Sequence, residues 1–144
     1  MKKICLLLLV LSLTGCATTP VRLENSKQAP PDRVLAFQAP ATDKTGSLIV
    51  IRDEGMVASG CFFALYINSI LAARLDVAES AKFTLEPGEI LLKVGMDPLG
   101  KGLCGLGHKD QWIQRETFLK PGEQKAFRMQ ISEDGILDIS RTDL

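Results

Sequence analysis

The residues best equipped for chemistry in this chain are its cysteines, Cys5, Cys16, Cys61 and Cys104, and its single histidine, His108. Cys16 has the most informative setting. It closes the run Leu13-Thr14-Gly15-Cys16, which has the form of a lipobox. Small residues give a peptidase access to the backbone between Gly15 and Cys16, and the thiol can take a diacylglyceryl group as a thioether. Lys2 and Lys3 supply a positive start, and the run from Ile4 to Leu13 is almost wholly apolar. About ten such residues make a helix of roughly 15 Å, half the hydrocarbon core of a bilayer, so the run reads as a signal-peptide core and not as a membrane span.

The expectation is therefore a signal peptide over residues 1–15, cut before Cys16, with diacylglyceryl and N-acyl (palmitate-type) chains on Cys16 as the covalent lipid. One acyl chain anchors only marginally, at about 0.8 kcal/mol per buried methylene, whereas several hold a protein durably. Ala17 follows the cysteine, where lipoproteins retained in the inner membrane typically carry aspartate. That pattern points to the outer membrane, facing the periplasm.

Export places Cys61 and Cys104 in an oxidising space, where paired thiols tend to be joined. A bridge between them would close a loop of about 44 residues and contribute about 4 kcal/mol in chain-entropy terms. Two buried free thiols are the other reading. Around Cys104 the chain is unusually rich in glycine, with Gly95, Gly100, Gly102, Gly105 and Gly107. Gly100 to Gly105 literally fits GxGxxG, but dinucleotide binding needs a strand before it and a helix after it, and the next pattern here is a strand. Two readings of this loop stay open. Its glycines can serve tight bends around Cys104, or the loop can be a binding surface built on Lys101, His108, Lys109 and Trp112, since loops of this length in compact domains are often functional. His108 has too few partners for a metal site, which wants three or four ligands, and no metal is expected. No nucleophile elbow and no paired acid/base carboxylates stand out, so the chain does not read as an enzyme.

The elements that must position these residues are strands. Ser47–Asp53, Cys61–Ile67, Ile70–Leu75, Lys82–Glu86, Glu89–Gly95, Trp112–Leu119, Lys125–Ile131 and Ile136–Ser140 carry β-rich or alternating patterns bounded by turn residues. Leu71–Ala81 competes as a helix but has no cap. Asn68-Ser69 reads as a tight hairpin turn. Pro87-Gly88 and Pro121-Gly122 read as type II turns, with proline presetting φ and glycine accepting a positive φ. These features predict an all-β fold for residues 46–144, a single antiparallel β-sandwich of about seven or eight short strands, with a small β-barrel as the alternative. Residues 16–45 are proline-rich and aperiodic, and read as a lipidated, flexible tether in which Val34 to Phe37 could dock as an edge. Such a coil would span about 25–30 Å.

Leu48-Ile49-Val50-Ile51-Arg52, Tyr66-Ile67-Asn68, Ala73-Arg74-Leu75 and Leu85-Glu86-Pro87-Gly88-Glu89 together resemble small proteobacterial envelope lipoproteins containing an uncharacterised β-rich domain. The similarity covers roughly Gly46 to Val94. Ser69 departs from it by standing where a hairpin glycine is usual. The resemblance implies a β-sandwich and an envelope location, and it brings no catalytic residues.

Charge narrows the partners further. The chain balances 17 basic against 17 acidic residues, and loss of Lys2 and Lys3 leaves it slightly acidic. With both signs interspersed, nucleic acid is not an expected partner. The expectation is a lipid-anchored envelope module that binds or supports, with the membrane as partner through its lipid, and another envelope protein or peptidoglycan as a further one. A periplasmic inhibitor of a hydrolase such as lysozyme is the alternative.

Overall fold

A computed structural model describes residues 17–106 and 112–143. It contains nine strands among the described residues: β1 (Lys27–Gln28), β2 (Gly46–Arg52), β3 (Phe63–Ile67), β4 (Ile70–Leu75), β5 (Glu79–Leu85), β6 (Gly88–Met96), β7 (Ile113–Leu119), β8 (Gln124–Ile131) and β9 (Leu137–Thr142). They form two sheets, ordered β1-β5-β2-β8-β9 and β4-β3-β6-β7, which face each other as a sandwich and do not close into a barrel.

The side-chain period explains the layering. On β6, Ile90, Leu92 and Val94 point inward, and on β8 Phe127, Met129 and Ile131 do the same. On β3, Phe63, Leu65 and Ile67 meet them from the facing sheet. The central strand β2 is buried on both faces. Leu48 and Val50 enter the main core, while Ile49 and Ile51 sit in a second cluster with Val21 and Ala78. That is why the segment reads as an unbroken apolar run and not as an alternation. Leu71–Ala81, the competing helix, is instead β4, a tight crossing with Ala78 at φ 58°, and the start of β5.

The sandwich is not purely antiparallel. β1 pairs with β5 and β2 with β8 in parallel, whereas the other pairings are antiparallel. The connections give the reason. The turn at Lys120–Glu123 carries the chain from the four-stranded sheet to the five-stranded one at the end where β2 begins. There Gly122 N–H donates to Thr45 O at 2.9 Å and Ser47 N–H to Glu123 O at 2.9 Å, so β8 must run alongside β2 in the same direction. Gly122 has φ 69° and Glu123 N–H donates to Lys120 O, in keeping with the type II reading. Gly88, at φ 139°, is more extended and opens β6 at a second crossing between the sheets.

The largest departure from the sequence reading is the supposed tether. Residues 18–38 do not hang free but lie against the sandwich as a strap. Thr18 N–H donates to Ile131 O at 3.0 Å, and Thr19 bridges Glu54. Val21 covers Ile49 and Ile51, β1 extends the β5 edge, and Ala29 is buried in the main core. Pro31–Arg33 forms a 3-10 turn, after which Val34 bridges Ala73 on β4 and Phe37 O accepts from Thr84 on β5. Both open sheet edges on that side are thereby covered, which removes the hazard of unpaired strands. Docking near Val34 to Phe37 therefore proves to be one part of a longer attachment.

Asn68 and Ser69 have φ of 48° and 69°, the pair of left-handed residues that a two-residue type I′ hairpin requires. A serine Cβ in that region costs about 1–2 kcal/mol, partly offset by glycine's greater unfolded-state freedom. Ser69→Gly is expected to stabilise the domain by about 0.5–1 kcal/mol. Thermal unfolding should read this as a rise in Tm of about 2–5 °C, and no rise would contradict the turn assignment.

Candidate functional site

The chain ends of β2, β4, β6 and β8 and the starts of β3, β5, β7 and β9 all fall at one end of the sandwich. That end therefore gathers residues 53–62, 76–78, 97–106 and 132–136, together with the first described residues of the strap. Their anchor is Arg52, the last residue of β2, which is 1 % exposed. Its guanidinium lies 3.6 Å above the Phe63 ring and donates to three backbone carbonyls: Cys61 at 2.5 Å, Leu75 at 2.9 Å and Ala58 at 2.9 Å. Burial pushes the Arg52 pKa down to about 10, against the opposing pull of Asp76 and Glu79, and the group remains a cation at neutral pH. Its Nε has no hydrogen-bond partner.

Three ion pairs fix the surrounding elements. The Asp53 carboxylate, fully dry, accepts from Arg128 on β8 and from Val21 N–H at 3.1 Å. Arg33 of the strap binds Glu79 through both oxygens, at 2.5 and 2.6 Å, and Glu79 also accepts from Asp76 N–H at 2.8 Å. Arg74 of β4 binds Asp97 at 2.6 and 2.9 Å, and Asp97 accepts from Leu99 N–H at 3.0 Å. Burial alone would raise the Asp97 pKa. The Arg74 and Leu99 hydrogen bonds and the Arg74 charge outweigh it, and hold the carboxyl below the usual carboxylate range. The hydrogen bond to Glu79 raises Arg33, and that to Asp97 raises Arg74. Phe62 lies between the two cations, with Arg33 4.5 Å and Arg74 5.1 Å from its centroid.

Over this ionic base the loop surface is apolar. Cys61 and Cys104 form a disulfide, with Cα atoms 5.3 Å apart, that fastens loop 53–62 to the segment 97–106. Met56 is 94 %, Leu103 86 % and Leu106 79 % exposed, Val57 and Leu99 are exposed in the same two segments, and Ile136 is exposed in the 132–136 turn at this end. The glycines serve close backbone packing: a Cβ at Gly100 would fall 2.6 Å from Cys104 O, and Gly102 has φ 58°. Gly102–Gly105 is a 3-10 turn between antiparallel strands, so the GxGxxG spacing has no strand–helix context.

Of the residues the sequence offered as a binding loop, Lys101 is exposed at the start of that turn. Trp112 packs instead on the outer side of the four-stranded sheet. A Cβ at Gly95 would fall 2.3 Å from its ring, Tyr66 meets it edge-on at 5.1 Å, and Lys93 Nζ is 4.5 Å away. His108 and Lys109 lie outside the described residues, as do Gly15 and Cys16. Arg52, Arg33, Glu79, Arg74 and Asp97 were not legible as site residues. The apolar residues in turn-rich segments, Met56, Leu103 and Leu106, were the available signal.

A separate groove of about 510 Å³ lies where the strap crosses the five-stranded sheet, lined by Pro20–Glu24, Ile51, Arg128, Thr142 and Asp143. Among the described residues no group of three or more His, Cys, Asp or Glu side chains is placed to hold a metal ion.

Arg52→Ala removes the guanidinium donors to the Cys61, Leu75 and Ala58 carbonyls, leaving Ala58 O with its bond from Cys61 N–H, and is expected to cost about 3 kcal/mol in urea unfolding. Arg52→Lys, with fewer directed donors, should recover only part of that loss. An unchanged Arg52→Ala midpoint would deny the guanidinium its organising role. The depressed Asp97 pKa stabilises the fold above the unfolded value of 3.8, and that contribution disappears as pH falls toward the folded value. The urea midpoint should therefore drop below about pH 4 in the parent and fall less steeply in Asp97→Asn.

Compared with protein-family models, curated proteins and solved structures, the chain has no match.

Proposed function

We propose that this chain is a lipid-anchored module of the cell envelope, acylated at Cys16 and facing the periplasm from the outer membrane, where it binds or supports and does not catalyse. The run Leu13-Thr14-Gly15-Cys16 behind a short apolar core carries the reading. Two features of the fold support it. Thr18 is held by a pair of hydrogen bonds to Ile131, its N–H donating to Ile131 O and its Oγ1 accepting from Ile131 N–H, each at 3.0 Å. An acyl group two residues earlier would thus hold the domain directly at the bilayer and not on a long leash. The buried ionisable groups Arg52, Asp53, Glu79 and Asp97 all make hydrogen bonds that tie elements of the fold together, which suits a supporting role.

Growth of cells expressing the full chain with radiolabelled palmitate tests this. The parent should incorporate label and fractionate with outer membrane, and Cys16→Ser should incorporate none and accumulate as precursor. Label that persists in Cys16→Ser, or a mature chain beginning elsewhere, overturns the proposal.

A further inference from the structure

We infer that the loop end of the sandwich is a lipid-contacting surface, in which Met56, Leu103 and Leu106, flanked by Val57, Leu99 and Ile136, enter the interfacial zone of the bilayer beneath the anchor. The inference rests on acylation at Cys16 and adds to it an orientation and a second contact.

Chain reach supplies the geometry. Two peptide units span at most about 7 Å, so an acylated Cys16 cannot leave the neighbourhood of Thr18. Thr18 is fastened to Ile131 at this end, and Gly55 abuts it, with a Cβ there falling 2.8 Å from Thr18 Cγ2. Met56 is the next residue, and the same loop continues to Cys61, whose disulfide brings in Leu103 and Leu106. The three most exposed large apolar side chains of the described chain thus stand at the end where the lipid must be. The opposite end is built differently, from Asn68-Ser69, Glu86-Pro87 and Lys120–Glu123, with only Ile70 and Phe118, each about half exposed, as large apolar side chains near it.

Large apolar side chains left exposed together at one end of a domain mark a contact surface. Two observations favour lipid over a protein groove as its occupant. The reach of the anchor places acyl chains beside it in every molecule, without a binding event. Exposed charge around it is mixed, with Lys101 against Glu54, Glu133 and Asp134, so attachment is apolar and does not depend on anionic headgroups. The disulfide and the Arg52 hydrogen bonds hold the loops in place beforehand, which spares them ordering on contact.

The test uses the full chain, purified from membranes, checked for acylation by intact mass, and reconstituted into phosphatidylethanolamine–phosphatidylcholine vesicles. Trp112, the single tryptophan, is replaced by Phe, and a reporter is placed as Leu103→Trp, as Met56→Trp, or as Ile70→Trp at the far end. With lipids brominated near the top of the acyl chain, the Leu103→Trp and Met56→Trp emissions should shift to the blue and be largely quenched, at low and high salt alike. Ile70→Trp should keep its emission. An acylated protein whose three reporters are equally unquenched overturns the inference and leaves the anchoring proposal standing. A mature chain without acyl mass overturns both. Reporters shielded in whole envelopes but unquenched in vesicles mean that a protein covers this end, and that also overturns the inference.

Discussion

A guanidinium withdrawn from water needs several acceptors at fixed directions, and the two terminal nitrogens of Arg52 find theirs in three backbone carbonyls, while Nε has none. The demand runs both ways. Ala58 and Cys61 belong to loop 53–62 and Leu75 ends β4, so their carbonyls converge only where that loop passes over the end of β4. One buried cation therefore sets the course of loop 53–62 and the exit of β4. Packing of the guanidinium on Phe63 ties the same group to the first inward side chain of β3. With Cys61 held by its carbonyl, its sulfur is presented to Cys104, so the disulfide follows from the cation as much as it adds to it. An apolar side chain at position 52 would avoid the desolvation cost but could not gather these carbonyls.

The strap answers a different constraint. A two-layer sandwich of this size leaves open edges, and here β9 and β7 close one side with the help of the Arg115–Asp138 pair at 2.8 Å. On the other side β4 and β5 would be bare. The strap lays β1 beside β5, turns at Pro31–Arg33, and reaches β4 through Val34 and Leu35, whose N–H donates to Ala72 O at 2.8 Å. Arg33 then locks the turn to Glu79. What is left at the edge is a two-residue strand carrying Lys27 and followed by Pro30, a poor template for further pairing.

The strand framework was legible because one-face burial writes a period of two into β6 and β8, and double burial writes an apolar run into β2. Turn residues marked the hairpin at Asn68-Ser69 and the crossings at Pro87 and Pro121. The strap was not legible, because local composition and tertiary docking disagree there. Pro30 and Pro31 argue against helix and central strand, yet Pro31 suits the first position of a 3-10 turn, where no N–H is required. Nothing near Lys27 announces that Glu79 will lie beside it. The parallel pairings depend on where distant connections deliver the chain, and sequence period carries no sign of direction. The ion pairs were invisible for the same reason: Asp53 and Arg128, or Arg33 and Glu79, are far apart in the chain, and each residue alone looks like a solvated charge. The disulfide was one of two open readings, and the fold selects it because β3 and β6 bring the flanking loops together.

Ionic support beneath an apolar rim has an energetic consequence. Placing charged groups against a low-dielectric layer is costly when they must surrender water at that moment. Here the cost has been met in folding. The Asp53 carboxylate has no exposed side-chain surface and that of Asp97 has 2 %, and their partners Arg128 and Arg74 are held in multiple hydrogen bonds. Arg52 is equally dry. Among the described residues, covering the loop end with another apolar phase would therefore withdraw few additional charges from water, chiefly Lys101 and the acidic residues at the rim, whose side chains can turn outward. The same ion pairs at the exposure of Arg115–Asp138, with 50 % of the arginine side chain in water, would resist such covering. The desolvated pairs thus suit this end of the molecule to an apolar neighbour while keeping the loops that meet it fixed.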